Sequence, residues 1–142
     1  MVSDANQARS SADDDAAARL RGRKVLVVDD HVEILELIAS VLGTVGCTVL
    51  TTESAPAARA LLRQVDFDLM ITDIVLRDAD GFALSAWARA LRPDLRLLYI
   101  SARSQERRSA SRPGQSVVLA KPFRLAALVS SVARALIPPT VH

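Results

Sequence analysis

The chain has 142 residues, half of them hydrophobic but only 4% aromatic, and 18 basic against 16 acidic side chains for a formal charge of +2. That length suits one compact domain with tails, its core built from Leu, Val, Ile and Ala, and excludes two ordinary domains. The near-balanced charge speaks against a nucleic-acid-binding surface, and no stretch approaches the roughly 18 apolar residues needed to cross a membrane. Cys47 is the only cysteine. With no second thiol or clustered histidine it forms neither a disulfide nor a metal site, which fits a reducing compartment. The Asp13-Asp14-Asp15 run near the N-terminus is the wrong composition for a secretory signal, so a cytoplasmic protein with no membrane insertion is expected.

Residues 1–22 are rich in Ala, Ser, Asp and Arg and read as a flexible tail, with Leu20 its only large aliphatic residue after Val2. From Lys24 the pattern changes to short aliphatic runs alternating with amphipathic segments. Five buried strands are predicted: from Lys24 to Val28, Val49 to Thr51, Phe67 to Thr72, Leu95 to Ile100 and Val117 to Leu119. Between and after them, apolar residues recur at helical spacing: Ile34, Leu35, Ile38 and Leu42; Ala57, Ala60 and Leu61; Phe82, Leu84, Trp87 and Leu91; Leu125, Leu128, Val132 and Leu136. Gly43 and Gly46 are stop signals for the first helix, Ser54 with Pro56 a start for the second, and Asp80 with Gly81 a lead into the third. The exception is the segment from Ala102 to Ser116, which carries Arg103, Arg107, Arg108 and Arg112 and no large aliphatic residue. It predicts a short or irregular fourth helix with a solvated charge run, and lacks the aromatic residues that base stacking requires.

Alternating β and α units with right-handed crossovers predict a doubly wound α/β fold, a five-stranded parallel sheet with helices on both faces, for which the order 2-1-3-4-5 is expected. The expected organisation is a tail over 1–22, one domain over 23–137 and a short C-terminal tail over 138–142. In such sheets ligands bind beyond the carboxyl ends of the strands. Strand one ends in Asp29-Asp30, strand three in Asp73, strand four in Ser101 and strand five in Lys121-Pro122. Carboxylates gathered there repel, by on the order of 4 kcal/mol for unit charges about 4 Å apart at an effective dielectric of about 20. A cation is therefore required, and Mg2+, which takes oxygen ligands and few carboxylates, is the natural one. With Asp73 as nucleophile, Lys121 as a positive charge and Ser101 as a hydroxyl donor, the set has what phosphoryl transfer needs.

In Val25-Leu26-Val27-Val28-Asp29-Asp30, Asp68-Leu69-Met70-Ile71-Thr72-Asp73, Asp80-Gly81, Ile100-Ser101-Ala102 and Lys121-Pro122-Phe123, the chain resembles the receiver domains of bacterial two-component response regulators. The resemblance runs from about Arg23 to Leu136. It implies that Asp73 is phosphorylated by a sensor histidine kinase or histidine phosphotransfer protein. It implies a Mg2+ ion held by Asp29, Asp30, Asp73 and the backbone carbonyl of Val75, with Ser101 and Lys121 completing the site. A cis Lys121–Pro122 bond is implied as well. Signalling would pass through contacts with a downstream protein target in a stand-alone single-domain regulator, without direct DNA binding and with a homodimer left open. Such a protein is a switch rather than an enzyme, limited to self-phosphorylation from small donors and autodephosphorylation. The chain departs from the family in having Arg77 where a proline is common and Val118 where a Tyr or Phe is common. Tyr99 shares a strand face with Ser101. Val118 and the polar fourth segment motivate the competing reading, a phosphorylation-independent interaction module of the same fold. An aspartyl phosphatase is disfavoured by Val75, which stands where a second acid would be needed. His31, directly after the acidic pair, reads as a surface or capping residue rather than a ligand, since Mg2+ favours oxygen over imidazole. Phe82 and Trp87 read as packing residues.

Overall fold

The computed structural model describes residues 18–77, 79–102 and 117–136. In chain order these form β1 (Lys24–Val28), α1 (Val32–Thr44), β2 (Thr48–Thr52), α2 (Ala55–Gln64), β3 (Leu69–Asp73), α3 (Gly81–Leu91), β4 (Arg96–Ser101), β5 (Val117–Ala120) and α4 (Leu125–Leu136). All strand pairings are parallel, as the βα alternation predicts, and the sheet has the expected order β2-β1-β3-β4-β5. The Arg-rich segment expected to form a poor helix lies outside the described residues from 103 to 116.

Two apolar layers follow from the period-two alternation of the strands. Val25, Val27, Leu69, Ile71, Leu98, Ile100 and Leu119 face α1 and α4, whose Leu35, Ile38, Leu42, Leu128, Val132 and Leu136 close that side. Leu26, Val28, Met70, Leu97 and Tyr99 face α2 and α3, where Ala55, Ala58, Leu62, Phe82, Leu84 and Ala88 pack. Alanine on α2 and α3 lets those helices approach the sheet closely, which suits a core with so few aromatics. Leu20 also enters the first layer with no exposed surface. Its carbonyl accepts from Arg23 N at 3.1 Å and from Cys47 Sγ at 3.3 Å, and the Gly22 N–H reaches the Gly46 carbonyl at 2.8 Å.

The helix boundaries have local causes. Ser54 caps α2 by accepting from the Ala57 N–H at 3.2 Å, and Asp80 caps α3 by accepting from the Phe82 N–H at 2.8 Å. Helix α1 runs through Gly43 and stops at Thr44; it is Gly46, with φ of +97°, that supplies the left-handed residue of the turn. Gly81 serves a different need. A Cβ there would stand 2.9 Å from Ile74 Cα and overlap the Asp73 carbonyl oxygen, so only glycine lets α3 start against the end of β3. Phe82 and Tyr99 meet edge to face at 4.9 Å, and the Arg63 guanidinium lies 5.2 Å from the Trp87 ring centre, so both aromatic residues of α3 pack as expected.

Candidate functional site

The carboxyl ends of β1, β3, β4 and β5 meet at one edge of the sheet. Asp29 directly follows β1 with no exposed surface, and Asp73 closes β3 with 8% exposed. Both carboxylates are held by their own backbone two residues on. The His31 N–H donates to Asp29 Oδ1 at 2.8 Å and the Val75 N–H to Asp73 Oδ1 at 3.1 Å. This is the local turn that Asp favours, and it aims the second oxygen of each acid into the pocket.

Those second oxygens share one cation. Lys121 Nζ lies 2.9 Å from Asp29 Oδ2 and 2.8 Å from Asp73 Oδ2. The lysine is carried there by β5, whose Ala120 pairs with Ser101, and the Lys121 N–H donates to the Ser101 carbonyl at 2.8 Å. The Lys121–Pro122 bond is cis. Ser101 is fully buried at the end of β4, one residue beyond Ile100, the register partner of Asp73.

Electrostatics follow from this arrangement. Burial pushes the Asp73 carboxyl above the usual carboxylate value; the Lys121 hydrogen bond, the Val75 N–H and the Lys121 charge pull it down, and the Asp29 charge adds to the upward push. Burial by itself would lower the Lys121 ammonium, but its hydrogen bonds and charge attraction to Asp73 and Asp29 outweigh that and hold it above the ordinary lysine value. The ammonium is thus fixed as a cation between two acids, one of which is costly to ionise.

Not every residue singled out from the sequence converges equally. Atoms of Asp29, His31 and Asp73 lie within 4.8 Å of one another, a group from which Asp30 is absent. Asp30 instead lines a notch with Glu53, Ser54 and Arg77, and its Oδ1 is buried without a hydrogen-bond partner among the described residues. An orphaned buried carboxylate oxygen is costly unless a cation serves it. Oxygen atoms from Asp29, Asp30 and Asp73 around this edge therefore fit Mg2+, the ion that receiver domains generally bind at such acids. Val75 lies on the loop after β3, with its side chain exposed and its backbone paired to Asp80 in an isolated bridge.

Three features were missed in the sequence. The His31 ring, although largely exposed, places Nδ1 3.0 Å from Asp29 Oδ1. Its position two residues after an acid that takes its own N–H was the available signal. The close approach of Gly81 to the Asp73 carbonyl was missed as well, Gly81 having been read only as a helix lead-in. The third is an apolar groove of about 390 Å³ beside Lys121, lined by Ile34, Leu37, Ala102, Pro122 and Phe123. Ile34 had been read among the apolar residues at helical spacing, and Leu37 beside it is 38% exposed. Tyr99 is fully buried opposite Val118 in the sheet register, with both in the α2/α3 layer.

Comparisons with known proteins agree with this geometry. The chain is 28% identical over 117 residues to the response regulator receiver protein CpdR of Brucella abortus, covering 81% of this chain and 98% of that protein. It is 33% identical over 122 residues to the DNA-binding transcriptional regulator NtrC of Rhizobium meliloti, covering 84% of this chain but only 25% of that relative. The chain thus spans about a quarter of the length of the NtrC regulators it matches. Among solved structures, a receiver protein from Sinorhizobium medicae superposes with a TM-score of 0.75 at 28% identity, covering 82% of this chain and 96% of that one. TrrA of Thermotoga maritima, solved in complex with Mg2+ and BeF, superposes with a TM-score of 0.74 at 26% identity, covering 80% and 99%. The response regulator receiver domain matches residues 25–133, and with strand order, acids, lysine and fold in agreement, the chain belongs to that family.

Proposed function

We propose that Asp73 accepts a phosphoryl group from a sensor histidine kinase or histidine phosphotransfer protein in a Mg2+-dependent reaction, and that the phosphorylated chain signals through contacts with a downstream protein. The observation that carries this reading is the Lys121 ammonium, held between Asp29 and Asp73 at 2.9 and 2.8 Å. A partly buried cation spanning the nucleophile and a second acid is an arrangement for receiving an anion.

In the transfer, an Asp73 carboxylate oxygen attacks phosphorus in line. The new O–P bond makes an acyl phosphate as the donor's P–N bond breaks, leaving its electron pair on the imidazole. Lys121 exchanges its contact with Asp73 Oδ2 for the phosphoryl oxygens, and Ser101 supplies a hydroxyl donor at the neighbouring strand end. The Val75 N–H keeps Asp73 Oδ1 oriented. Asp29, Asp30, Asp73 and the Val75 carbonyl would hold Mg2+, which neutralises charge on the transferring group. The apolar groove of Ile34, Leu37, Pro122 and Phe123 beside Lys121 suits the surface of the protein donor, because covering it would also exclude water from the site.

The test is incorporation of label from acetyl phosphate with and without Mg2+. Label appears only with Mg2+, is labile to alkali as an acyl phosphate, and disappears in Asp73→Asn. Retention of label in that variant would remove Asp73 from the reaction. A protein that folds and binds Mg2+ yet takes no label would favour the phosphorylation-independent module, which Val118 beside Tyr99 motivates.

A further inference from the structure

Strand β2 is an outer strand of the sheet, bonded among the described residues only to β1. Its sequence, Thr48-Val49-Leu50-Thr51-Thr52, has no charge, proline or glycine, and Leu50 is 38% exposed. Proteins ordinarily protect a sheet edge with a lysine, a proline, a bulge or a covering element. None of these is present on β2 among the described residues.

The hydrogen-bonding polarity of the edge can be read from its ladder. The Thr48 N–H donates to the Arg23 carbonyl at 2.8 Å and the Thr52 carbonyl accepts from Asp29 N at 3.2 Å. In a parallel pair the residues that bond inward alternate, so Thr48, Leu50 and Thr52 turn their backbone groups to β1. Val49 and Thr51 turn theirs outward.

We propose that β2 is a self-association surface, through which two copies join their sheets as an antiparallel pair about a two-fold axis at Leu50. In this register Leu50 faces the second copy's Leu50, and Val49 faces its Thr51. Val49 and Thr51 are the outward-bonding residues, so each such pair exchanges both N–H···O bonds. Leu50 then falls in a non-hydrogen-bonded pair, where side chains come closest, with Cα atoms about 4.5 Å apart. Beyond the Thr48–Thr52 pair, Glu53 stands opposite Cys47 of the second copy. Beside Cys47 is Gly46, over which exposed Arg21 lies, its Cγ 3.1 Å from where a Cβ would stand. The first charge beyond the strand in one copy is therefore placed at the same end of the ribbon as Arg21 of the other. A self-complementary strand with complementary charges at its ends fits a second copy better than an arbitrary partner, and the assembly is a closed isologous dimer. Nothing in it depends on the reading of Asp73.

The test uses the whole chain in two measurements. Sedimentation equilibrium across a concentration series gives a monomer–dimer equilibrium, and amide hydrogen exchange over the same series shows Val49 and Thr51 slowing by at least about tenfold as dimer forms, with Leu50 unchanged. Thr51→Pro removes an outward N–H without touching the β1 ladder and, like Leu50→Lys, weakens the dimer at least about tenfold. Arg21→Glu and Glu53→Arg each weaken it, and together they restore it. The charge pair also covers the case in which a strand variant misfolds. A chain that stays monomeric at the highest concentration, or a dimer whose Val49 and Thr51 amides exchange as fast as in the monomer, overturns the proposal.

Discussion

Strands β2 and β3 have the same length and flank the same strand, β1, yet β3 is buried at every residue and β2 is half exposed along its length. The interior strand is packed by helices on both faces and bonded on both edges. Its last residue, Asp73, is consequently held in place by the fold, with Gly81 pressed against its carbonyl and Val75 bonded to its side chain. The outer strand has one bonded edge, and its chemistry is free to serve another molecule. The contrast separates a place where geometry must be exact to within a side-chain contact from one where it can be shared.

Five substitutions test how far that contrast holds. The largest effect is expected at the centre of the site. Lys121→Gln keeps length and hydrogen bonding but removes the charge, and it should slow labelling of Asp73 by about 10²–10³-fold, the scale for losing one charge-stabilising group. A loss under about threefold would mean that the lysine merely pairs the acids. Gly81→Ala comes next: its Cβ would collide with the end of β3, so unfolding by denaturant should report a loss of about 2–3 kcal/mol. A near-neutral result would show the loop after Asp73 to be soft.

Leu37→Asp, in the groove beside Lys121, should slow transfer from a protein donor about tenfold, roughly 1.4 kcal/mol, while leaving acetyl phosphate labelling intact. Equal slowing with both donors would contradict the groove's assignment. Asp73→Asn should raise stability at neutral pH by about 1 kcal/mol, because the carboxyl, pushed up mainly by burial, is costly to ionise in the folded state. The sign is fixed by linkage. The folded state holds that proton more tightly than the unfolded chain, so stability falls as pH rises from about 3.9 through the raised folded value. The advantage of Asn should thus be present at neutral pH and vanish in acid, and Mg2+ should narrow it. The smallest effect is expected at the edge. Leu50→Lys should change the monomer's stability by no more than about 0.5 kcal/mol and leave labelling unaltered. A loss comparable to that of Gly81→Ala would erase the distinction between the two strands.

Much of the arrangement was legible in the residues themselves. The aliphatic runs ending in Asp29, Asp73, Ser101 and Lys121 identified the strands and their polar ends, since a parallel strand buried on both faces has no other composition available. The caps at Ser54 and Asp80 were visible for the same kind of reason: a side-chain oxygen at a helix start answers an unpaired N–H close in sequence. Less legible were contacts between distant segments. That Asp30 lines a notch with Glu53 and Arg77, that His31 touches Asp29, and that Leu20, read as part of a tail, is buried against the first core layer all depend on how elements pack.

The sequence by itself determined the order of strands and helices, the family, and which side chains stand at the carboxyl edge of the sheet, because these depend on periodicity and on residues adjacent along the chain. Only the tertiary structure decided that a single ammonium joins Asp29 to Asp73, that glycine alone fits beside the Asp73 carbonyl, and how much of the uncharged β2 stays exposed. Those outcomes rest on distances between residues far apart in sequence, which packing and sheet register set and local pattern does not encode.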